Sequence, residues 1–158
     1  MYWWGKKMNH QDTKTQSCLR ENQSKEQYAG YAPIPAATER IAALVVDAAY
    51  AVHKILGAGL LESVYEPCFC HEIKKRGLSF ARQQVVPIIY EGVILEENLR
   101  LDVVVEDQII CELKAVDQIL PVHQAQLLTY LKLTHKRLGF LINFNVPLIK
   151  NGIKRMVL

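Results

Sequence analysis

No apolar run in this chain of 158 residues is long enough to cross a membrane. The most apolar stretch, IAALVVDAAYAVHKIL, is broken by Asp47, His53 and Lys54 and falls short of the ~20 residues a spanning helix needs. The opening MYWWGKKMNHQ lacks the apolar centre of a secretory signal. Cysteine is scarce, and Cys18, Cys68, Cys70 and Cys111 fall at no disulfide or zinc-ribbon spacing. They read as reduced, mostly buried thiols, which suits a cytoplasmic protein. No Walker-type loop is present, so no nucleotide cofactor is expected, and the five histidines show no metal spacing such as H-E-x-x-H. The net charge of +3 is too small to announce nucleic acid by charge alone.

What is there is an ordinary globular composition behind a polar start. Residues 1–37 are rich in Gln, Lys, Ser, Thr and Asn and read as a disordered tail, with Trp3 and Trp4 as its odd feature. Residues 38–158 read as one domain. Thr38 is placed as an N-cap with Glu39 in the first turn. Ile41, Leu44, Val45, Ala48, Val52 and Ile55 then recur at threes and fours, marking an amphipathic helix stopped by Gly57 and Gly59. A second helix runs from about Leu60 to Gly77, interrupted by Pro67.

The period then changes to two. QQVVPIIY is a strand whose Pro87 suggests an edge or a bulge, and Glu91-Gly92 is a turn. A second strand lies in VILEENLRLDVVVE, EDQ turns, and IICELKAV is a third. LPVHQAQLLTYLKLT is a helix and RLGFLINFN a fourth strand. The order α, α, β, β, β, α, β predicts an α/β (α+β) domain: a mixed sheet of about four strands flanked by helices.

The chemistry-bearing residues lie on the RLDVVVEDQIICELKAV hairpin. Glu112 and Lys114, two apart, share one face of their strand, while Cys111, Leu113 and Ala115 point into an apolar layer. Asp102 lies on the neighbouring strand and shares its face with Arg100 and Val104. If the strands pair, the two carboxylates converge and repel, which a divalent cation relieves. A lysine beside them can orient a water or stabilise charge on a phosphoryl oxygen. A solvated face with weak surface pairs is the plainer account of the same spacing. Glu62 at a helix start with Tyr65 at i+3, and Gln126 with Tyr130 at i+4, are likewise open to ordinary readings as a dipole-favoured acid and a polar helix edge. His123 reads as a helix-start residue. Lys74-Lys75-Arg76, Lys132, Lys136-Arg137, Lys150, Lys154 and Arg155 are candidate phosphate contacts that more often form a solvated face.

GLLESVY resembles the signature of the GxxExxY protein family, with Gly59, Glu62 and Tyr65 in its named positions. The likeness continues through RLDVVVEDQIICELKAV, HQAQLLTYLKL and GFLINFNVPLIKNGIKRMVL, covering roughly residues 39–158. That family is placed in the PD-(D/E)XK nuclease-like superfamily. The resemblance implies a restriction-endonuclease-like core and a metal-dependent nuclease using Mg²⁺ or Mn²⁺. Asp102 takes the place of the motif aspartate, Glu112 and Lys114 supply E-x-K, and Glu62 fits the assisting helix glutamate. The Leu113 carbonyl would complete the metal shell. Gln126 and Tyr130 resemble the QxxxY motif of RecB-like nucleases, which helps orient the lysine or the nucleic acid. The superfamily's Pro-Asp pair is Leu101-Asp102 here. No four-cysteine set is present, so no iron–sulfur cluster is expected. The expected partner is nucleic acid, DNA ahead of RNA, and no membrane. A homodimer and a larger nucleic-acid-processing complex both stay open. The alternative is a catalytically inactive nucleic-acid-binding or assembly module on the same fold.

Overall fold

A computed structural model describes residues 32–158. The reading of residues 1–31 as a tail, Trp3 and Trp4 included, lies outside the described residues. Helix α1 spans Ala36–Leu56 and buries Thr38, Ala42, Val45, Ala48, Ala49 and Val52. It starts two residues before the expected cap. Pro35 occupies the N-cap position, and the Thr38 hydroxyl instead donates to Gln108 Oε1 at 2.7 Å. Ile55, expected on the apolar stripe, is 74% exposed at the helix end. Gly57 closes α1 at φ 69°, a conformation glycine takes without a Cβ penalty, and its N–H donates to His53 O.

Helix α2 spans Glu62–Lys75, with Pro67 exposed one turn in, where it removes one backbone donor. Strands β1 (Phe80–Tyr90) and β2 (Val93–Val105) form a long antiparallel ribbon. It is closed at Glu91-Gly92, both at positive φ, as a tight hairpin turn whose twist matches its strands requires. Pro87 lies at the sheet edge beside a register shift, in keeping with its sequence. Strand β3 (Ile109–Lys114) pairs antiparallel with β2. Helix α3 (Pro121–Leu133) crosses over to β4 (Leu138–Asn143), which runs parallel to β3. A short 3₁₀ turn, Ile149–Asn151, leads to β5 (Ile153–Val157), antiparallel to β4. The sheet is mixed, in the order β1-β2-β3-β4-β5, and has one strand more than the sequence pattern suggested.

Two apolar layers sandwich it. On one face Val45, Val52, Tyr65, Phe69 and Ile73 of the first two helices meet Val103, Val105, Ile109, Cys111 and Leu113. On the other, Leu127 and Leu131 of α3 meet Leu101, Val104, Ile110 and Leu141. Every residue of β4 is buried, as a central strand covered on both faces must be. Gly139 lets α3 settle close, since a Cβ there would meet Leu127 Cδ1 at 2.9 Å.

Candidate active site

The ladder between β2 and β3 is short. It runs from Val105↔Ile109 to Val103↔Cys111 and stops. One step further along that register, Asp102 and Glu112 would face each other. There the strands part, and Asp102 Oδ2 accepts the Leu113 N–H at 2.9 Å in place of a backbone carbonyl. An extended residue turns its N–H and C=O to the same side, so the Leu113 carbonyl also faces this fork. The Lys114 carbonyl faces the other way and accepts from Phe144 N–H.

Glu112 is 2% exposed. Its Oε1 accepts from Lys114 Nζ at 2.8 Å, while its Oε2 is buried with no hydrogen-bond partner. The expected same-face pairing of Glu112 and Lys114 is therefore realised as a direct contact. The expected face of Asp102 is not. Leu101 and Val104, three apart, lie in the same apolar layer, so strict alternation fails at Asp102. Opposite it on β1 sits Gln83 at φ 49°.

Glu62, the first residue of α2, reaches the same neighbourhood. Its carboxyl is held above the usual range by burial and by the charges of Asp102 and Glu66, against the pull of Lys114. Asp102 is raised by burial, then by Glu66, against the Leu113 hydrogen bond and Lys114. Burial and the nearby Asp102 push Glu112 from its ordinary 4.5 up to about 7, although Lys114 opposes them. Burial would lower the Lys114 ammonium. Its hydrogen bond to Glu112 and the charges of Glu112, Asp102 and Glu62 outweigh that, and its pKa is raised. Three carboxyls thus surround one ammonium, and the cluster is short of positive charge.

The GLLESVY segment has a structural purpose besides presenting Glu62. Tyr65 is buried, stacked on Phe144 at 4.6 Å between centroids. Its hydroxyl donates to Gly57 O at 2.8 Å and accepts from Leu60 N–H at 3.1 Å. It thereby pins the turn that carries Gly59, at φ 97°, into α2. Gln126 and Tyr130 are joined to each other, Gln126 Nε2 donating to the Tyr130 hydroxyl at 2.7 Å. Among the described residues neither is hydrogen-bonded to the acids or to Lys114. His123 takes the helix-start role, its Nδ1 accepting from Leu120 N–H.

Sequence reasoning missed Glu66. It lies one turn after Glu62 on the same helix side, a signal available at i+4. It is 9% exposed and accepts from Arg82 Nε at 2.8 Å and Gln83 Nε2 at 2.7 Å. Asn143 was missed too. It is buried, and its amide bonds both Val116 N–H and Val116 O, fixing the chain just after β3. An apolar groove of about 280 Å³ between α1 and α2 is lined by Val52, Ile55, Leu56, Pro67, Cys68, His71 and Glu72. Its acid is already paired with Lys75 and Arg76.

A sequence model of the PD-(D/E)XK nuclease superfamily matches residues 39–156. The chain belongs to that superfamily. No curated protein and no solved structure matches it.

In this PD-(D/E)XK domain the matched span contains Glu62, Asp102, Glu112 and Lys114. Among the described residues, no three His, Cys, Asp or Glu side chains form a ready metal cage. Mg²⁺ does not need one, since one or two carboxylates, waters and a substrate phosphate suffice. The orphaned, buried Glu112 Oε2 and the carboxylate of Asp102 are hard oxygen donors facing a deficit of positive charge, and they fit such an ion. The buried thiols do not compete. Burial pushes Cys70 up to about 11 and raises Cys111 further. No helix among the described residues is long and apolar enough to cross a membrane.

Proposed function

We propose that this domain is a metal-dependent nuclease that hydrolyses phosphodiester bonds in nucleic acid, DNA ahead of RNA. The observation that carries the reading is the unpartnered, buried Glu112 Oε2 beside Asp102, where β2 and β3 part. Asp102, Glu112 and the Leu113 carbonyl would hold Mg²⁺ or Mn²⁺, with Glu62 assisting from the start of α2. The bound ion supplies a Lewis acid for a phosphoryl oxygen and a more acidic water. Lys114, held by Glu112, orients the attacking water and stabilises the negative charge that grows on the phosphoryl oxygens. Gln126 and Tyr130, coupled to each other on α3, contact the substrate strand. The Gly59, Glu62 and Tyr65 string supports placing the chain in the GxxExxY family, and its reduced thiols suit the cytoplasm.

The test is incubation of wild type and Asp102→Ala with labelled single- and double-stranded DNA and RNA, in Mn²⁺, Mg²⁺ or EDTA. Cleavage by wild type alone, abolished by EDTA, is expected, together with weaker Mn²⁺ binding by Asp102→Ala in calorimetry. Equal cleavage or equal Mn²⁺ binding by both proteins would refute the site. A second reading, a binding module without turnover on the same fold, is what the opposite outcome would support. It predicts steeply salt-dependent binding and no cleavage under any ion.

A further inference from the structure

Gln83 is the fourth residue of β1, yet its backbone is left-handed at φ 49°. Non-glycine residues adopt that region seldom, and keep it where surrounding contacts over-determine it. Those contacts are present. The Gln83 amide donates to Glu66 Oε2 at 2.7 Å, and the preceding Arg82 donates to Glu66 Oε1 at 2.8 Å. Glu66 is buried, so its two oxygens are committed to these two donors.

The register places Gln83 directly across from Asp102, since Gln84 pairs with Leu101 and Arg82 with Val103. The break on β1 and the break on β2 are therefore the same event. The twist at Gln83 frees Asp102 from regular alternation, and Asp102 then reaches sideways to Leu113 N–H. Gln83 also stands close enough to favour the ionised form of Asp102. Helix α2 thus serves the fork twice: Glu62 reaches it directly, and Glu66, one turn later, grips the strand behind it.

We infer that Gln83, clamped by Glu66, is a positioning residue that aims the Asp102 carboxylate for metal binding and catalysis. This rests on the nuclease reading above. It asks more than that reading does, because that reading gives neither residue a role.

The experiment separates backbone from side chain. Gln83→Gly keeps the left-handed conformation at no steric cost and removes the amide. Gln83→Asn also tolerates that conformation but is too short to span to Glu66. Both variants, with wild type, are compared by thermal unfolding in chelator, by Mn²⁺ calorimetry and by cleavage at saturating Mn²⁺. The expected result is a cooperative thermal transition in both variants, lowered by the loss of the Glu66 partner but leaving them folded at 25 °C, with Mn²⁺ affinity reduced by about tenfold or more in both. Where cleavage is measured, kcat falls while KM for nucleic acid holds. Wild-type Mn²⁺ affinity and kcat in both variants would overturn the positioning role and leave the nuclease reading standing. Absence of Mn²⁺ binding and cleavage in wild type itself would overturn the nuclease reading, and the positioning role with it.

Discussion

Without metal at pH 8, Glu112→Gln is expected to stabilise the domain. The carboxyl is almost wholly buried, one oxygen has no partner, and its pKa is raised from 4.5 to about 7 by burial and then by Asp102. At ~1.4 kcal/mol per pKa unit, ionising it in the fold costs on the order of 3 kcal/mol. That figure is already net of the Lys114 bond, and the glutamine still offers Lys114 an acceptor, but its amide NH₂ takes the place of the partnerless Oε2 and, buried unpaired, returns about 1–2 kcal/mol. The net gain at pH 8 is about 1–2 kcal/mol, or roughly 3–8 °C in Tm. The sign follows from the raised value. Glu112 contributes its full stability below about pH 4.5, and loses it as pH rises through about 7. The two proteins should therefore separate between those pH values, with the variant ahead at the alkaline end. Thermal unfolding by circular dichroism in EDTA at pH 5, 6, 7 and 8 measures it. Saturating Mn²⁺ should reverse the order, because wild type alone keeps both carboxylates. A separation constant from pH 5 to 8, or one favouring wild type at pH 8 without metal, would refute the reasoning.

Three further outcomes are expected. Lys114→Ala should lower the single-turnover cleavage rate at saturating Mn²⁺ by roughly 100-fold, and a wild-type rate would remove Lys114 from the mechanism. Tyr65→Phe keeps the ring stacked on Phe144 but strands Gly57 O and Leu60 N–H, at a cost of about 1–3 kcal/mol. An unchanged Tm would show that the hydroxyl does not pin the turn. Gly152→Ala drives a Cβ into the Asn143 carbonyl and to 2.9 Å from the Val146 side chain. Its loss should exceed about 3 kcal/mol in chemical denaturation, and wild-type stability would contradict the packing of that corner.

Local pattern carried the parts of this fold that local pattern determines. Period two on IICELK put Glu112 and Lys114 on one side and Cys111 and Leu113 on the other, and the packing agrees. Glu91-Gly92 and Pro87 read correctly because turn chemistry and a missing donor act on the spot. The fifth strand escaped notice because IKRMV is half exposed at a sheet edge, so Lys154 and Arg155 hide its apolar residues. Thr38 looked like a cap by propensity, but Gln108, seventy residues away, claims its hydroxyl. The break at Asp102 was illegible for the same kind of reason. It depends on Glu66 of a helix gripping Gln83 of a strand, and no window on either segment contains both. The helix pair Gln126 and Tyr130 was found as a pair, but its mutual hydrogen bond only became visible with the fold.

The bend at Gln83 has a consequence for how the protein keeps to itself. Strand β1 forms one rim of the sheet, where free N–H and C=O groups invite a foreign strand to add on. Its rim is interrupted twice, at Gln83 by the left-handed backbone and at Pro87 by the missing donor and the slipped register. Only Gln84, Val85 and Val86 remain in regular extension between the two. Val85, Ile89 and Tyr90 can therefore stay exposed along this rim without offering another chain a template long enough to polymerise upon.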